Sequence, residues 1–333
     1  MNIHEIEKRK KALFPTIFMS AEERANFKAT MASQTVGSNT LGGSNAPLWE
    51  IISPEAIDAT SKKYFDLSRT THIVEGFIPA APGVRPVVNV EVITSAGTAL
   101  KNATNWNQSA MQNKYVQVTM DRYSCPFGLS SYDIMHGERI QTKIGAAIES
   151  VVSSVMNAFF TVLISAPGGP DGSTPTHTNV GNIHVTADDF SPEFVAHEIS
   201  PIFGGFGPVD DLILDPTYFA KLVPTNALSL GTAPGSYGVE YIHRTAGLNM
   251  PQPSELAGYH GFALRKNAVA SAFGLPYYDN LTGIATQDLG RVAGIPLLLK
   301  TWTEKGSEVI YNSVETLAGF KMADLGSACL ILV

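Results

Sequence analysis

Hydrophobic and polar positions alternate most cleanly between residues 85 and 123. Val88, Val90 and Val92 alternate with Asn89, Glu91 and Ile93, and Val116, Val118 and Met120 alternate with Gln117 and Thr119. A period of two is that of a half-buried strand, so the two runs are expected to pair. Between them, Ser95 to Asn113 is polar, rich in Asn, Ala and Gln, and carries one tryptophan, Trp106. The reading is a long hairpin with a wide tip. Strands of about ten residues reach about 33 Å, and a lone two-stranded ribbon of that length is marginal in water. It must lie on something, and its own domain offers no obvious surface of that size.

The period then changes. Ile140, Ile144, Ile148, Val151, Val152, Val155, Phe159 and Leu163 recur at three- and four-residue spacing, which predicts an amphipathic helix from Gly137 to Ser165. It would run about 40 Å at about 1.5 Å per residue. Asp133 is its expected N-cap, and Pro167, Gly168, Gly169 and Pro170 stop it. Ser150 to Ala166 is free of charge, but Ser153, Ser154, Asn157 and Thr161 make a polar stripe. A buried helix fits that stripe better than a membrane span. Gly145, Ala146 and Ala147 leave room for another backbone.

Residues 1–70 read as an arm with short helices. Ser20 and Glu23 resemble a capping box opening a helix to about Met31, and Ser33 to Asn45 is rich in Gly, Ser and Asn. Pro54 starts a further short helix toward Lys63. Beyond the long helix the chain turns mixed. Pro192 begins a helix near Phe194 to Ile199, Leu212 to Leu214 is a buried strand, and Pro216 to Leu222 is a helix. Residues 224–258 are loop-rich, Ala263 to Ala272 is strand or helix, and Ile295 to Trp302 is a strand. Strand-like runs close the chain around Gly319 and Gly326. No repeat appears.

Composition sharpens this picture at one point. Only 16% of the 333 residues are charged, against about a quarter in an ordinary soluble domain. Such a chain has a large core or buries its surface against other chains, and burial against partners is the favoured reading. A net charge of −7 argues against a nucleic-acid reader. The basic run Lys8 to Lys11 reads as a solvated helix face. Cys125 and Cys329, far apart, form neither a disulfide framework nor a zinc knuckle. Both are expected to behave as small buried hydrophobes.

Catalytic and cofactor signatures do not emerge. There is no phosphate loop, nucleophile turn or zinc helix, and no catalytic, cofactor-binding or metal residue is assigned. Gly204 to Gly207 reads as a turn, and His197–Glu198 lacks a second histidine. Asp188–Asp189 and Asp210–Asp211 read as caps of helix or strand ends, with a divalent ion the lesser alternative.

The order of parts, a hairpin, one long helix and a mixed α/β region, resembles the tailed-bacteriophage major capsid protein family, whose fold encapsulins share. The resemblance is carried further by Asp211 to Leu222 (DLILDPTYFAKL), His260 to Pro276 (HGFALRKNAVASAFGLP) and Leu317 to Leu332 (LAGFKMADLGSACLIL). It covers about residues 70–333. It implies an α+β fold: an N-terminal arm at 1–70, an extended hairpin loop at 80–120, and a peripheral domain with a spine helix at 121–187. An axial domain at 188–303 and C-terminal strands at 304–333 would complete it.

The implied function is a major capsid protein, without catalysis or cofactor, that self-assembles into pentamers and hexamers of an icosahedral head around phage DNA. Its implied place is the virion, after assembly in the host cytoplasm. Implied partners are further copies, a separate scaffolding protein, a portal, a decoration or cement protein, and packaged double-stranded DNA contacted non-specifically, with no membrane. A separate scaffold is expected because the chain has no room for the long helical scaffolding segment with which many members begin. Some members weld lysine to asparagine between subunits. Lys101 lies in the right region, but a contact lysine is the reading kept. The alternatives are an encapsulin-like cellular compartment, distinguished by a cargo-peptide groove, and a soluble α/β enzyme, distinguished by a pocket of converging ionisable groups.

Overall fold

Sequence periodicity and tertiary pairing meet first in the sheets. The structure, a computed structural model, describes residues 60–61, 63–75, 85–95, 112–130, 133, 137–165, 181–203, 209–223, 239–245, 259–278, 284–304 and 309–332. The helix expected from Ser20, the stretch from Ser33, the hairpin tip with Lys101, the Gly204–Gly207 turn and most of the 224–258 loops lie outside these residues.

In chain order the elements are α1 (Leu67–Thr70), β1 (His72–Glu75), β2 (Val87–Ser95), β3 (Gln112–Thr119), β4 (Asp121–Leu129) and α2 (Gly137–Ser165). There follow β5 (Gly181–His184), α3 (Pro192–Phe194), a π turn (Val195–Ile199) ending in a last helical turn at Ser200–Ile202, β6 (Val209–Leu214) and α4 (Pro216–Leu222). Then come β7 (Val239–Arg244), β8 (Tyr259–Leu264), β9 (Val269–Gly274), β10 (Ile284–Val292), β11 (Ile295–Thr303), β12 (Ile310–Met322) and β13 (Ala328–Leu332).

They build two sheets and a ribbon. One sheet runs β1-β9-β12-β11-β10 with β4 also on β12, the other runs β5-β13-β8-β6-β7, and β2 pairs β3 alone. The chain passes from one sheet to the other three times, once through α2 and twice through short turns. Between β8 and β9 it turns at Arg265 to Ala268, and between β12 and β13 at Ala323 to Ser327. These two turns are stitched together, Ala323 N–H donating to Ala268 O at 2.8 Å and Arg265 N–H to Ser327 O at 2.8 Å. The run Ala263 to Ala272, legible as strand or helix, is therefore the end of one strand and the start of another. The polar Arg265, Lys266 and Asn267 take the turn. Val239–Arg244, read as loop, is a strand parallel to β6.

Helix α2 has the bounds its periodicity predicts. Ile140, Ile144, Ile148, Val152, Val155, Met156, Phe159 and Phe160 are buried, while Ser154, Asn157 and Thr161 are exposed. The exposed hydroxyls of Ser154 and Thr161 bond back to the carbonyls of Ser150 and Asn157. By length and composition α2 could cross a membrane, but its apolar side is spent on the two sheets. Adjacent phenylalanines divide that work. Phe160 stacks on Phe262 of β8, with ring centroids 5.7 Å apart, and Phe159 meets Phe320 of β12 edge-on, also at 5.7 Å. The far face of the second sheet is covered by the segment 192–202 and α4, through Val195, Ile199, Tyr218 and Leu222.

One local expectation is corrected. Asp133 is not the cap of α2, which begins at Gly137. Its carboxylate accepts from the Ser130 N–H and hydroxyl and from Lys143 Nζ at 2.9 Å. The Lys143 ammonium and the two Ser130 donors hold that carboxyl well below its usual range. A lysine nearly two turns into the helix thus ties it to the end of β4, where its ammonium also donates to Gly128 O at 3.0 Å, an interaction no cap pattern displays.

Candidate assembly surface

The hairpin's alternation becomes geometry where it meets the first sheet. Val90, Val92, Val116, Val118 and Met120 are buried against Ala270 and Ala272 of β9, Leu317 of β12 and Ala323. The described part of the ribbon thus rests on its own domain, where the sequence alone offers no obvious surface of that size. Small residues on β9 make it possible, because alanine leaves room for the valines. At Gly319 the approach is closest. A Cβ there would lie 2.3 Å from Thr119 O and 2.9 Å from Val118 Cγ1. Strand β12 is therefore covered on both sides, and residues 312–319 are all buried.

The ribbon's other face is exposed among the described residues. Val87 and Tyr115 stand on it, Tyr115 with 67% of its surface exposed. Asn89, Glu91, Gln117 and Thr119 share that face by register. An exposed tyrosine and valine on a two-stranded ribbon are what a contact surface needs.

Beside the ribbon's root lies a polar cluster. Glu315 sits on the ribbon side of β12, two residues from Leu317, with its side chain 2% exposed. Arg122 Nη2 of β4 reaches it at 2.6 Å, and the Tyr278 hydroxyl bonds to both Glu315 and Arg122. Lys300 Nζ lies between the Tyr278 and Trp302 rings, 4.6 and 4.8 Å from their centroids, and Trp302 stacks on Tyr311. Burial, and then the neighbouring Glu315 carboxylate, push the Tyr278 hydroxyl far above its ordinary value near 10. Below about pH 10 it is protonated in both the folded and unfolded chain, so its contribution is complete. Above that the unfolded chain ionises first and stability drains away as pH climbs toward the folded value. Urea midpoints measured from about pH 8 to 11 are expected to fall at the alkaline end, and Tyr278→Phe to flatten that fall.

The acidic pairs weighed for metal are otherwise engaged. Asp188 pairs with Lys221 at 3.1 Å, Asp189 accepts from Thr186, and Asp210 accepts the Lys266 N–H. Asp211 is buried and bonds His243 at 2.6 Å, with Phe65 tilted on that imidazole. Asp215 caps α4 and holds His260 Nδ1 at 2.6 Å. His197 and Glu198 lie exposed on the π turn. Among the described residues no three His, Cys, Asp or Glu side chains gather as a metal site. Cys329 is fully buried and its thiol is pushed up to about 12 by burial, whereas Cys125 is half-buried on β4. Cys329 is expected to resist a thiol reagent at pH 8 until urea unfolds the chain, which a mass-spectrometric time course will show.

Sequence reasoning missed β4 and the cluster it carries. Glu315 was the available signal, as the one charge in the apolar run from Val314 to Phe320.

No protein-family model matches the sequence, and no curated protein matches it either. Solved structures do. The capsid of a native GTA particle superposes with a TM-score of 0.50 at 10% identity, over 90% of this chain and 94% of that one. The chain has the capsid fold. A virus-like particle from Pyrococcus furiosus gives 0.47 at 13% identity, covering 84% of this chain and 98% of that one. The capsid of cyanophage P-SCSP1u gives 0.45 at 11%, covering 90% and 92%. The resemblance read from the order of parts therefore named the right fold.

Proposed function

We propose that this protein is a major capsid protein, a non-enzymatic subunit that assembles into pentamers and hexamers of a closed head around phage DNA. The observation that carries the reading is the capsid fold combined with a ribbon whose inner face is filled and whose outer face, with Tyr115 and Val87, is not. Its mechanism is geometric. Heterologous contacts around a rotation axis close into rings, and many modest contacts sum to a stable wall. In this reading the ribbon's outer face and tip lie across the next subunit. The five-stranded half, with the loops that flank β7, surrounds the local axes, where their Gly and Pro content lets one sequence serve two ring sizes. A scaffolding protein, a portal and a decoration protein complete the assembly, and the place of action is the virion.

Expressed protein, alone and with its scaffold, is expected to form closed particles by negative-stain microscopy. Boiled in detergent, the particles should run as one band near the 35.7 kDa chain mass. A chain that sediments as a monomer under both conditions overturns the proposal. A ladder of multiples surviving reduction would make Lys101 the first residue to mutate.

A further inference from the structure

We infer that Arg122, Glu315 and Tyr278 form a register lock, which sets the direction in which the hairpin leaves the body and is not needed to hold the fold together. Its importance for shells rests on the capsid reading above.

The face of β12 that receives the ribbon is otherwise apolar or small, with Leu317 and Gly319 beside Ala270 and Ala272 of β9. Apolar contact has no direction, and a valine-faced ribbon on an alanine-faced sheet can tilt or slide by a fraction of a residue at little cost. Directional groups must supply what such packing lacks. Arg122 stands three residues beyond Thr119, the last residue of β3, so its position is rigidly coupled to the ribbon root. It bonds a carboxylate buried on the central strand. Tyr278, four residues beyond the end of β9, bonds both partners and closes the triangle. Three separate strands or their extensions therefore meet in one set of hydrogen bonds with a single good geometry.

The other strand of the ribbon is tied at the same level. Met120 N–H donates to Pro86 O at 2.8 Å, and Arg85 pairs with Asp121 at 2.9 Å, both of these side chains being exposed. The exposed pair adds little. Glu315 is buried while 37% of the Arg122 side chain is exposed, so desolvation of the carboxylate offsets part of the attraction, and the attested use of such a pair is to specify one arrangement among several of similar packing energy.

The test is the double variant Arg122→Met with Glu315→Leu, which replaces the ion pair by apolar side chains of like size. Dyes are attached at Tyr115→Cys on the ribbon and Ser154→Cys on α2, both exposed positions, in a Cys125→Ser background. Single-molecule energy transfer at picomolar concentration keeps subunits apart. The double variant is expected to melt at or above the parent temperature, with a transfer distribution at least twice as wide. An unchanged width overturns the lock, and so does a variant that fails to fold, since the triad would then be a stability element. Shell formation is scored separately. A widened distribution with normal shells leaves the lock standing and counts against the intermolecular hairpin.

Discussion

Deleting residues 96–111 and joining β2 to β3 through a tight turn is expected to leave a folded subunit that forms no shells. The physical case rests on where the ribbon's apolar surface goes. Val90, Val92, Val116, Val118 and Met120 are buried in a cluster with the subunit's own β9 and β12, and all belong to the retained segments. The described members of that cluster are all retained, so thermal melting should change by only a few degrees. Assembly is different. A contact repeated in every subunit is lost everywhere at once, and the sum over a shell collapses even when each contact is modest. Circular dichroism and sedimentation velocity on the same sample read the two outcomes. Loss of the monomer's fold would show that the tip belongs to its own core, and normal particles would show that the hairpin is not the inter-subunit element.

Gly319→Ala is expected to be the most destabilising single methyl group that can be added to the described core. Its Cβ would lie 2.3 Å from the Thr119 carbonyl oxygen, a backbone atom that no rotamer change can move aside. Relief requires lifting the ribbon from β12, which uncovers Leu317 and the four valines together. Overpacking against backbone puts the cost on the order of 3 kcal/mol. Urea denaturation measures it directly. Particle yield should fall with it, because the ribbon then leaves at the wrong angle. A variant within about 0.5 kcal/mol of the parent would mean that the ribbon does not lie on the sheet as described.

Much of this fold was open to inspection in the chain itself. Helix α2 keeps its predicted bounds because one apolar stripe repeats without interruption, and propensity, pattern and the proline stop agree. The stems β2 and β3 alternate over residues 88–92 and 116–120, so their pairing and their inner face could be named. The order of parts was enough to suggest the capsid fold.

Partnership between distant segments was not legible. Residues 263–272 are apolar on both sides of a short polar turn, and only the separate pairing of β8 with β6 and β13 and of β9 with β1 and β12 divides them. Strand β4 alternates Tyr123, Cys125, Phe127 and Leu129 with Arg122, Ser124, Pro126 and Gly128, but Pro126 and Gly128 mask it as a strand, and an edge position beside β12 tolerates them. The ribbon's resting surface could not be foreseen, because alanines at 270 and 272 acquire meaning only when valines from residues 90–118 arrive above them. Gly319 looked like a break between strands and is instead the point of closest approach within one. The sequence by itself determined periods, boundaries and the order of parts, since those are properties of neighbours along the chain. Which face meets which, and where a buried carboxylate finds its arginine 193 positions away, are decided by packing across space, so only the tertiary structure holds them.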